Sequence, residues 1–128
     1  MSDVNMNDVK KLLVEARAFI ETGWTQFHMA RDKSGTPRLA IDRRASAWCM
    51  VGALHAAAYK FYFSTKPCVD VDVADLFLKR VIFRNNPKDH DCFLSNFNDA
   101  PGTKKEEVLA VFDKAIESLE PNTHGERA

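Results

Sequence analysis

Cys49 is the side chain whose type and position could most directly carry out chemistry. It lies in the uncharged stretch of residues 45–59, where a helix start or a neighbouring imidazole would stabilise its thiolate. His90 and then Asn98 or Asp99 follow it, which is the order of nucleophile, base and orienting residue in one class of cysteine hydrolases. One hypothesis is therefore a small cysteine-dependent hydrolase with Cys49 as nucleophile, His90 as base and Asp99 or Asn98 as orienter.

Other features of the sequence weaken the hydrolase hypothesis. Such enzymes need an oxyanion-hole donor and a β-sheet that brings the histidine to the cysteine, and no run of strands is predicted that could supply one. A buried free cysteine is also a common core residue. We expect Cys49 to be inert, and we favour a protein that is not an enzyme.

A metal site could be assembled from Cys68, His90 and Cys92. Only one residue separates His90 from Cys92, and Cys68 is not part of a Cys-x-x-Cys pair, so the spacing differs from that of zinc motifs. The three aspartates of residues 70–75 lack the glycine and the distal glutamate of a calcium loop, and they suit the start of a helix. We predict no metal and no cofactor.

Two basic clusters could contact phosphate groups. Their members are Arg38, Arg43 and Arg44, and then Lys79, Arg80, Arg84 and Lys88. The chain has 18 basic and 18 acidic residues, so its formal net charge is zero and no global field draws it to nucleic acid. A nucleic-acid-associated protein is an alternative that requires both clusters on one continuous face. We predict that nucleic acid is not the partner.

The elements that must position these side chains are mainly helical. Apolar residues recur with the 3.6 period from Val9 to Ile20, which predicts a helix capped by Asn7 or Asp8 and ending at Gly23. Residues 24–30 and 37–41 then alternate around turn residues 32–35, which favours a small hairpin or two extended segments.

The uncharged stretch predicts a buried central helix. It is capped by Asp42 or Ser46, is apolar on nearly every side and continues to Tyr62. A third helix runs from Asp70 to the break at residues 85–87.

Two further helices complete the predicted fold. A short helix covers residues 91–97, residues 98–102 form a loop, and a capping box of Thr103 and Glu106 opens the last helix. The prediction is a mainly α single domain of residues 1–128: a compact bundle of about five helices around the central helix, with a small hairpin insertion. Its ordered core covers about residues 6–120, and the tail at 121–128 is loose.

Composition and cysteine usage predict a cytoplasmic protein. Hydrophobic residues make up 45% of the chain and charged residues 28%, as in ordinary soluble proteins. The first residues show no signal-peptide pattern, and the uncharged stretch is shorter than the roughly 20 residues that span a bilayer. Three cysteines cannot form a closed disulfide framework, in agreement with a reducing compartment.

Aromatic residues are dense and suggest a contact surface. Most must lie in the core, but those exposed beside polar side chains would form a protein-binding patch or a small-molecule cleft. The polar neighbours that we consider are Gln26, Arg31, Asn98 and Asp99.

Several short motifs resemble a small uncharacterised family found in bacteria and their phages. They are Gly23-Trp24-x-Gln26, Ala30-Arg31-Asp32-x-x-Gly35, Ala47-Trp48-Cys49-x-x-Gly52-Ala53-Leu54, Asn98-Asp99-x-Pro101-Gly102-Thr103, and the closing Glu107-Val108 and Asp113-Lys114-Ala115-Ile116. The resemblance spans about residues 8–118 and is weakest over 65–90. It implies a stand-alone, mainly helical domain with no assigned activity, so it supplies no catalytic residues.

We predict a non-enzymatic protein-interaction or regulatory module. The resemblance adds an accessory role in a phage or mobile element as one form of it. The partner is expected to be another protein, with a homodimer as a further possibility and no membrane association. The predicted binding residues are Trp24, Gln26, Arg31, Trp48, Asn98 and Asp99.

Overall fold

The computed structural model describes residues 5–62, 69–85 and 93–119. The elements in chain order are α1 (Met6–Thr22), β1 (Ala30–Arg31), β2 (Pro37–Arg38), β3 (Ala47–Trp48), α2 (Met50–Tyr62), α3 (Val69–Asn85), α4 (Leu94–Asp99) and α5 (Lys105–Glu117). Within those ranges the chain is mainly helical with a small sheet, so the predicted fold class is confirmed. None of these helices is both long and apolar enough to cross a membrane.

α1 follows from its apolar period. Its buried side chains are Val9, Leu12, Leu13, Ala16 and Ile20. They pack the helix against α2, α3 and α5. The cap is Asn5, whose side chain accepts from the Asn7 amide, and not the predicted Asn7 or Asp8. Asn5 takes this role because its backbone is extended, as an N-cap requires, whereas residues 7 and 8 are already helical.

The hairpin insertion is confirmed and gains a third strand. β1 pairs with β2 and with β3, both antiparallel, so that Ala30 lies opposite Arg38 on one side and Trp48 on the other. Residues 47–48 had been predicted as helix, and this was wrong. The Trp48 amide donates to the Gly23 carbonyl, and the Trp48 carbonyl accepts from Thr25, so tertiary hydrogen bonds hold the segment extended despite its helical composition.

α2 is the buried central helix that the sequence predicts, although it begins at Met50. Its buried residues are Met50, Gly52, Ala53, Leu54, Ala56 and Ala57. It packs against α1, α3 and α4. The small side chains at these positions let neighbouring backbone approach closely.

The last two helices begin later than predicted. α4 covers Leu94–Asp99 and not residues 91–97, so Asn98 and Asp99 close a helix and do not lie in a loop. α5 begins after Lys104, whose amide donates to the Glu107 side chain 2.9 Å away. The capping carboxylate is therefore Glu107 and not Glu106, because Lys104 and not Thr103 holds the extended cap conformation.

Some predictions lie outside the described residues. These are the positions of Cys68, His90, Cys92 and Lys88, and the character of the tail at residues 121–128. The single-domain boundary at 1–128 also stays a prediction.

Candidate functional site

Asn98 is a fully buried polar residue at the end of α4. Its Oδ1 accepts from the Trp24 indole at 2.8 Å and from the Met50 amide at 3.1 Å. Its Nδ2 donates to the Thr25 carbonyl at 3.1 Å and to an Asp99 carboxylate oxygen at 2.9 Å. The amide therefore uses two donors and accepts twice, which ties α4 both to the start of α2 and to the segment after α1.

A second set of bonds fastens residues 26–29, which we call the Phe27 corner, to the end of α4. The Gln26 side-chain amide donates to the carbonyls of Asn98 at 2.9 Å and Ala100 at 3.3 Å. The Phe27 backbone amide donates to Asp99 at 2.8 Å. Three bonds within two consecutive residues fix where this corner lies.

Phe27 occupies a strained backbone position. Its φ is +74°, which within the described ranges no other non-glycine residue matches in sign. Its side chain is 66% exposed. An aromatic residue in the left-handed region is uncommon and costs free energy, and such strain concentrates at functional sites.

The other side of the corner rests against α2. The Met29 carbonyl accepts from the Cys49 amide at 3.1 Å. A Cβ placed on Gly52 would lie 2.0 Å from the same oxygen, so only glycine permits this approach. The corner is thus held by α4 on one side and by α2 on the other.

Arg31 lies beside the corner and is held by neutral groups. Its Nε donates to the Thr25 hydroxyl at 2.8 Å, and its two terminal nitrogens donate to the carbonyls of Gly35 at 2.9 Å and Gln26 at 3.4 Å. In the part of the chain that the structure describes, no carboxylate pairs with it. Its charge is therefore positioned but not compensated.

Exposed apolar side chains surround this arginine. Leu39 is 72% exposed, Ile41 46% and Met29 36%. Met29 and Leu39 adjoin the opposed pair Ala30 and Arg38, so alternation along the strands places both on the face away from buried Ala30, together with Arg31. We call Phe27, Met29, Leu39, Ile41 and Arg31 the hairpin surface.

The other predicted binding residues are satisfied inside the fold. Trp48 is 7% exposed, its indole donates to the Ala40 carbonyl at 2.9 Å, and its ring lies 4.8 Å from that of Phe19. Half-buried Trp24 has its indole bonded to Asn98. Trp24, Gln26, Asn98 and Asp99 do converge on one network, but their polar groups support the Phe27 corner.

Cys49 does not have the surroundings of a nucleophile. It is 6% exposed, and its sulfur accepts from the Gly52 amide at 3.3 Å. Burial raises the pKa of its thiol, which disfavours the thiolate that a nucleophilic cysteine needs. His90, the proposed base, lies outside the described residues. The geometry thus gives the hydrolase hypothesis no support.

The first basic cluster is mostly neutralised. Arg38 contacts Asp32 and Arg44 contacts Asp42, at 2.9 and 3.0 Å. Hydrogen bonds from Arg44 lower the pKa of Asp42 to about 2, and those from the Ser34 hydroxyl, the Thr36 amide and Arg38 hold the pKa of Asp32 well below its usual range. Such paired cations are poorly available to phosphate groups.

The second basic cluster lies where two helices end. Arg80 and Arg84 of α3 line a groove of about 350 Å³ together with Lys114 of α5. Cations near helix C-termini complement the negative ends of the helix dipoles, which gives these side chains a structural role. Within the described ranges, no group of three or more His, Cys, Asp or Glu residues could hold a metal ion.

The hairpin surface contains one residue that sequence reasoning placed only among the dense aromatics. Phe27 follows Gln26 in a segment predicted as a strand, and its left-handed backbone carries no local mark such as a glycine or an asparagine. The only available signal was the pattern Gly23-Trp24-x-Gln26 immediately before it.

Comparison with curated proteins and with solved structures gives no match. A family model of unknown function matches residues 4–118, which covers the hairpin surface, the Asn98 network and all five described helices. This confirms the resemblance to an uncharacterised family. The chain is a member of DUF6197, a family of unknown function.

Proposed function

We propose that this chain is a non-enzymatic protein-interaction module that binds its partner through the hairpin surface. The observation that carries the proposal is Phe27, an exposed aromatic residue with a φ of +74°. A glycine or an asparagine would take this backbone conformation at lower cost, and an isolated exposed ring contributes little to folding.

The bonds around Phe27 support a binding role. Gln26 and Asp99 fix the backbone at the corner, and Gly52 admits the Met29 carbonyl against α2. A rigid aromatic side chain loses little entropy on binding, and aromatic and arginine side chains are enriched among the residues that contribute most to interfaces. Leu39 and Ile41 extend the apolar contact area around the ring.

A comparison of baits tests this proposal. Wild-type protein, Phe27→Ser and Leu76→Ser would be immobilised, incubated with a lysate of the source cell and analysed by quantitative mass spectrometry. Leu76 is a matched control because it is 53% exposed on α3. We expect a protein retained by the wild type and by Leu76→Ser but lost with Phe27→Ser. The absence of any Phe27-dependent protein would contradict the proposal.

The bound protein would then be purified and titrated against both variants by calorimetry. We expect Phe27→Ser to weaken its affinity about 30-fold or more, the range of an interface hot spot, while Leu76→Ser leaves it unchanged. Equal affinities would show that the contact lies elsewhere.

Three finer points belong to the same proposal. A regulatory or accessory role in a phage or mobile element is supported by the family resemblance, and a cytoplasmic location by the composition. Self-association into a homodimer is a separate possibility. Sedimentation of wild-type protein and Phe27→Ser at several concentrations tests it, because a dimer through the hairpin surface would dissociate in the variant.

A further inference from the structure

The segment that forms the hairpin surface carries a net positive charge. Residues 24–48 contain five basic and two acidic side chains, a formal net charge of +3 in a chain whose total is zero. The basic residues are Arg31, Lys33, Arg38, Arg43 and Arg44. The rest of the chain is correspondingly acidic, so this segment differs from its own surroundings in sign.

The two carboxylates of this segment are already used. Asp32 bonds Arg38, Ser34 and Thr36, and Asp42 bonds Arg44. Ionic pairing removes Arg38 and Arg44 from the unbalanced set. Three cations remain that no described carboxylate pairs with: Arg31, Lys33 and Arg43.

Arg31 is the cation best prepared to recognise an anion. A guanidinium carries five N–H groups, and the three bonds to Thr25, Gly35 and Gln26 use three of them. Two N–H groups are left, on a side chain whose orientation is already fixed. Its bond to the Gln26 carbonyl connects it to the residue before Phe27.

We propose that the hairpin surface binds an acidic segment of a partner protein, with a carboxylate of that segment on Arg31 and an apolar side chain against Phe27 and Leu39. This inference rests on the proposed function and specifies the partner's chemistry. A charge-assisted, fork-shaped contact beside an apolar anchor gives both orientation and affinity.

Charge also distinguishes this partner from two others. A second copy of the chain would bring a second surface of charge +3, which opposes self-association through this face. Nucleic acid would need more phosphate contacts than three cations provide, and exposed Leu39 and Ile41 offer nothing to a phosphate backbone. An acidic polypeptide satisfies both the cations and the apolar side chains.

Selection from a random peptide library displayed on yeast tests the inference with the intact protein as bait. We expect enriched peptides in which Asp or Glu stands close to a large apolar residue. Synthetic peptides from this pool should lose affinity roughly tenfold or more for Arg31→Gln, because a charged hydrogen bond is removed. They should also lose affinity for Phe27→Ser.

A second variant guards against a structural effect of Arg31→Gln, since that side chain also bonds within the fold. Lys33→Glu combined with Arg43→Glu alters two exposed cations for which the described chain shows no contact. We expect it to weaken binding of the acidic peptides and to reduce the salt dependence of their affinity. Lys11→Glu, an exposed change on α1, is the matched control and should leave affinity unchanged within about twofold.

The outcomes separate the inference from the proposed function. Peptides that depend on Phe27 but are neutral or basic would overturn the acidic partner and leave the interaction module standing. A pool that does not depend on Phe27 would overturn both. Competition by single-stranded DNA or RNA that depends on Arg31 would replace the acidic protein with nucleic acid and also overturn the inference.

Discussion

Asn98 and Phe27 lie at two ends of one hydrogen-bond network, yet they differ in almost every physical respect. The Asn98 side chain is buried, and it makes two bonds through its oxygen and two through its nitrogen. Phe27 is exposed, strained and without apolar cover. Asp99 connects the two, because one of its oxygens accepts from both residues.

The difference shows that a stable interior can support a costly exterior. The Asn98 network is built from a neutral amide and backbone groups, whereas the strands beyond the corner depend on ionised pairs such as Asp32 with Arg38. Mutations should therefore separate the two regions. Changes near Asn98 should cost folding free energy, and changes at Phe27 should cost binding.

Asn98→Ala is expected to have the largest effect. It removes the partner of the Trp24 indole, the Met50 amide and the Thr25 carbonyl, and each buried polar group left unsatisfied costs about 1–3 kcal/mol. We expect the free energy of unfolding to fall by about 3–5 kcal/mol in urea titrations. Asn96→Ala, on the exposed side of the same short helix, is the control and should change it by less than about 0.5 kcal/mol. A loss below about 1 kcal/mol for Asn98→Ala would mean that water replaces the amide.

Gly52→Ala tests the opposite side of the corner. In an ordinary exposed helix position this change stabilises by about 1 kcal/mol. Here the added Cβ would meet the Met29 carbonyl oxygen at 2.0 Å, so α2 or the corner must shift. We expect a net loss of about 2–3 kcal/mol in thermal or urea unfolding. A gain in stability would show that the corner is not pressed against α2.

The sequence predicts the helices better than it predicts the network. The apolar period of α1 and the uncharged composition of α2 identify both helices, because helix burial depends on patterns within a short segment. Asn98 was predicted as a binding residue on the motif alone. Its four bonds reach residues 24, 25, 50 and 99, and no local pattern records three of those contacts.

Trp48 illustrates why a strand was missed. Alanine-rich flanks and the adjoining helix favour helical structure for residues 47–48, and nothing nearby alternates. The strand forms because Gly23, Thr25 and β1 offer backbone partners that are distant in sequence. Phe27 was missed for a related reason: the bonds from Asp99 and Gln26 to residues on opposite sides of the corner impose its positive φ.

Acid should weaken the hairpin before it weakens the Asn98 network. Asp32 has a pKa well below its usual range, and Asp42 has one of about 2. Because the folded-state pKa values are lowered, these carboxylates stabilise the fold above their ordinary pKa near 4, and this contribution is lost as the pH falls towards 2.

Asp32→Asn should therefore reduce the drop in melting temperature between pH 4 and pH 2, measured by circular dichroism. Asp72→Asn, an exposed change on α3, should leave that drop as in the wild type. If the drop in Asp32→Asn equals that of the wild type, the Asp32 pairs do not contribute to stability in solution.

Phe27→Asn should have the smallest effect on stability, and its sign is the informative part. Asparagine tolerates positive φ, and the lost ring is 66% exposed, so relief of backbone strain should outweigh the lost contacts. We expect the free energy of unfolding to rise by about 0.5–1 kcal/mol while partner binding is lost. Leu39→Asn, equally exposed but not at positive φ, should give no gain. A loss of more than about 1 kcal/mol for Phe27→Asn would instead assign the ring to the fold, since only a structural role makes an exposed, strained aromatic residue stabilising.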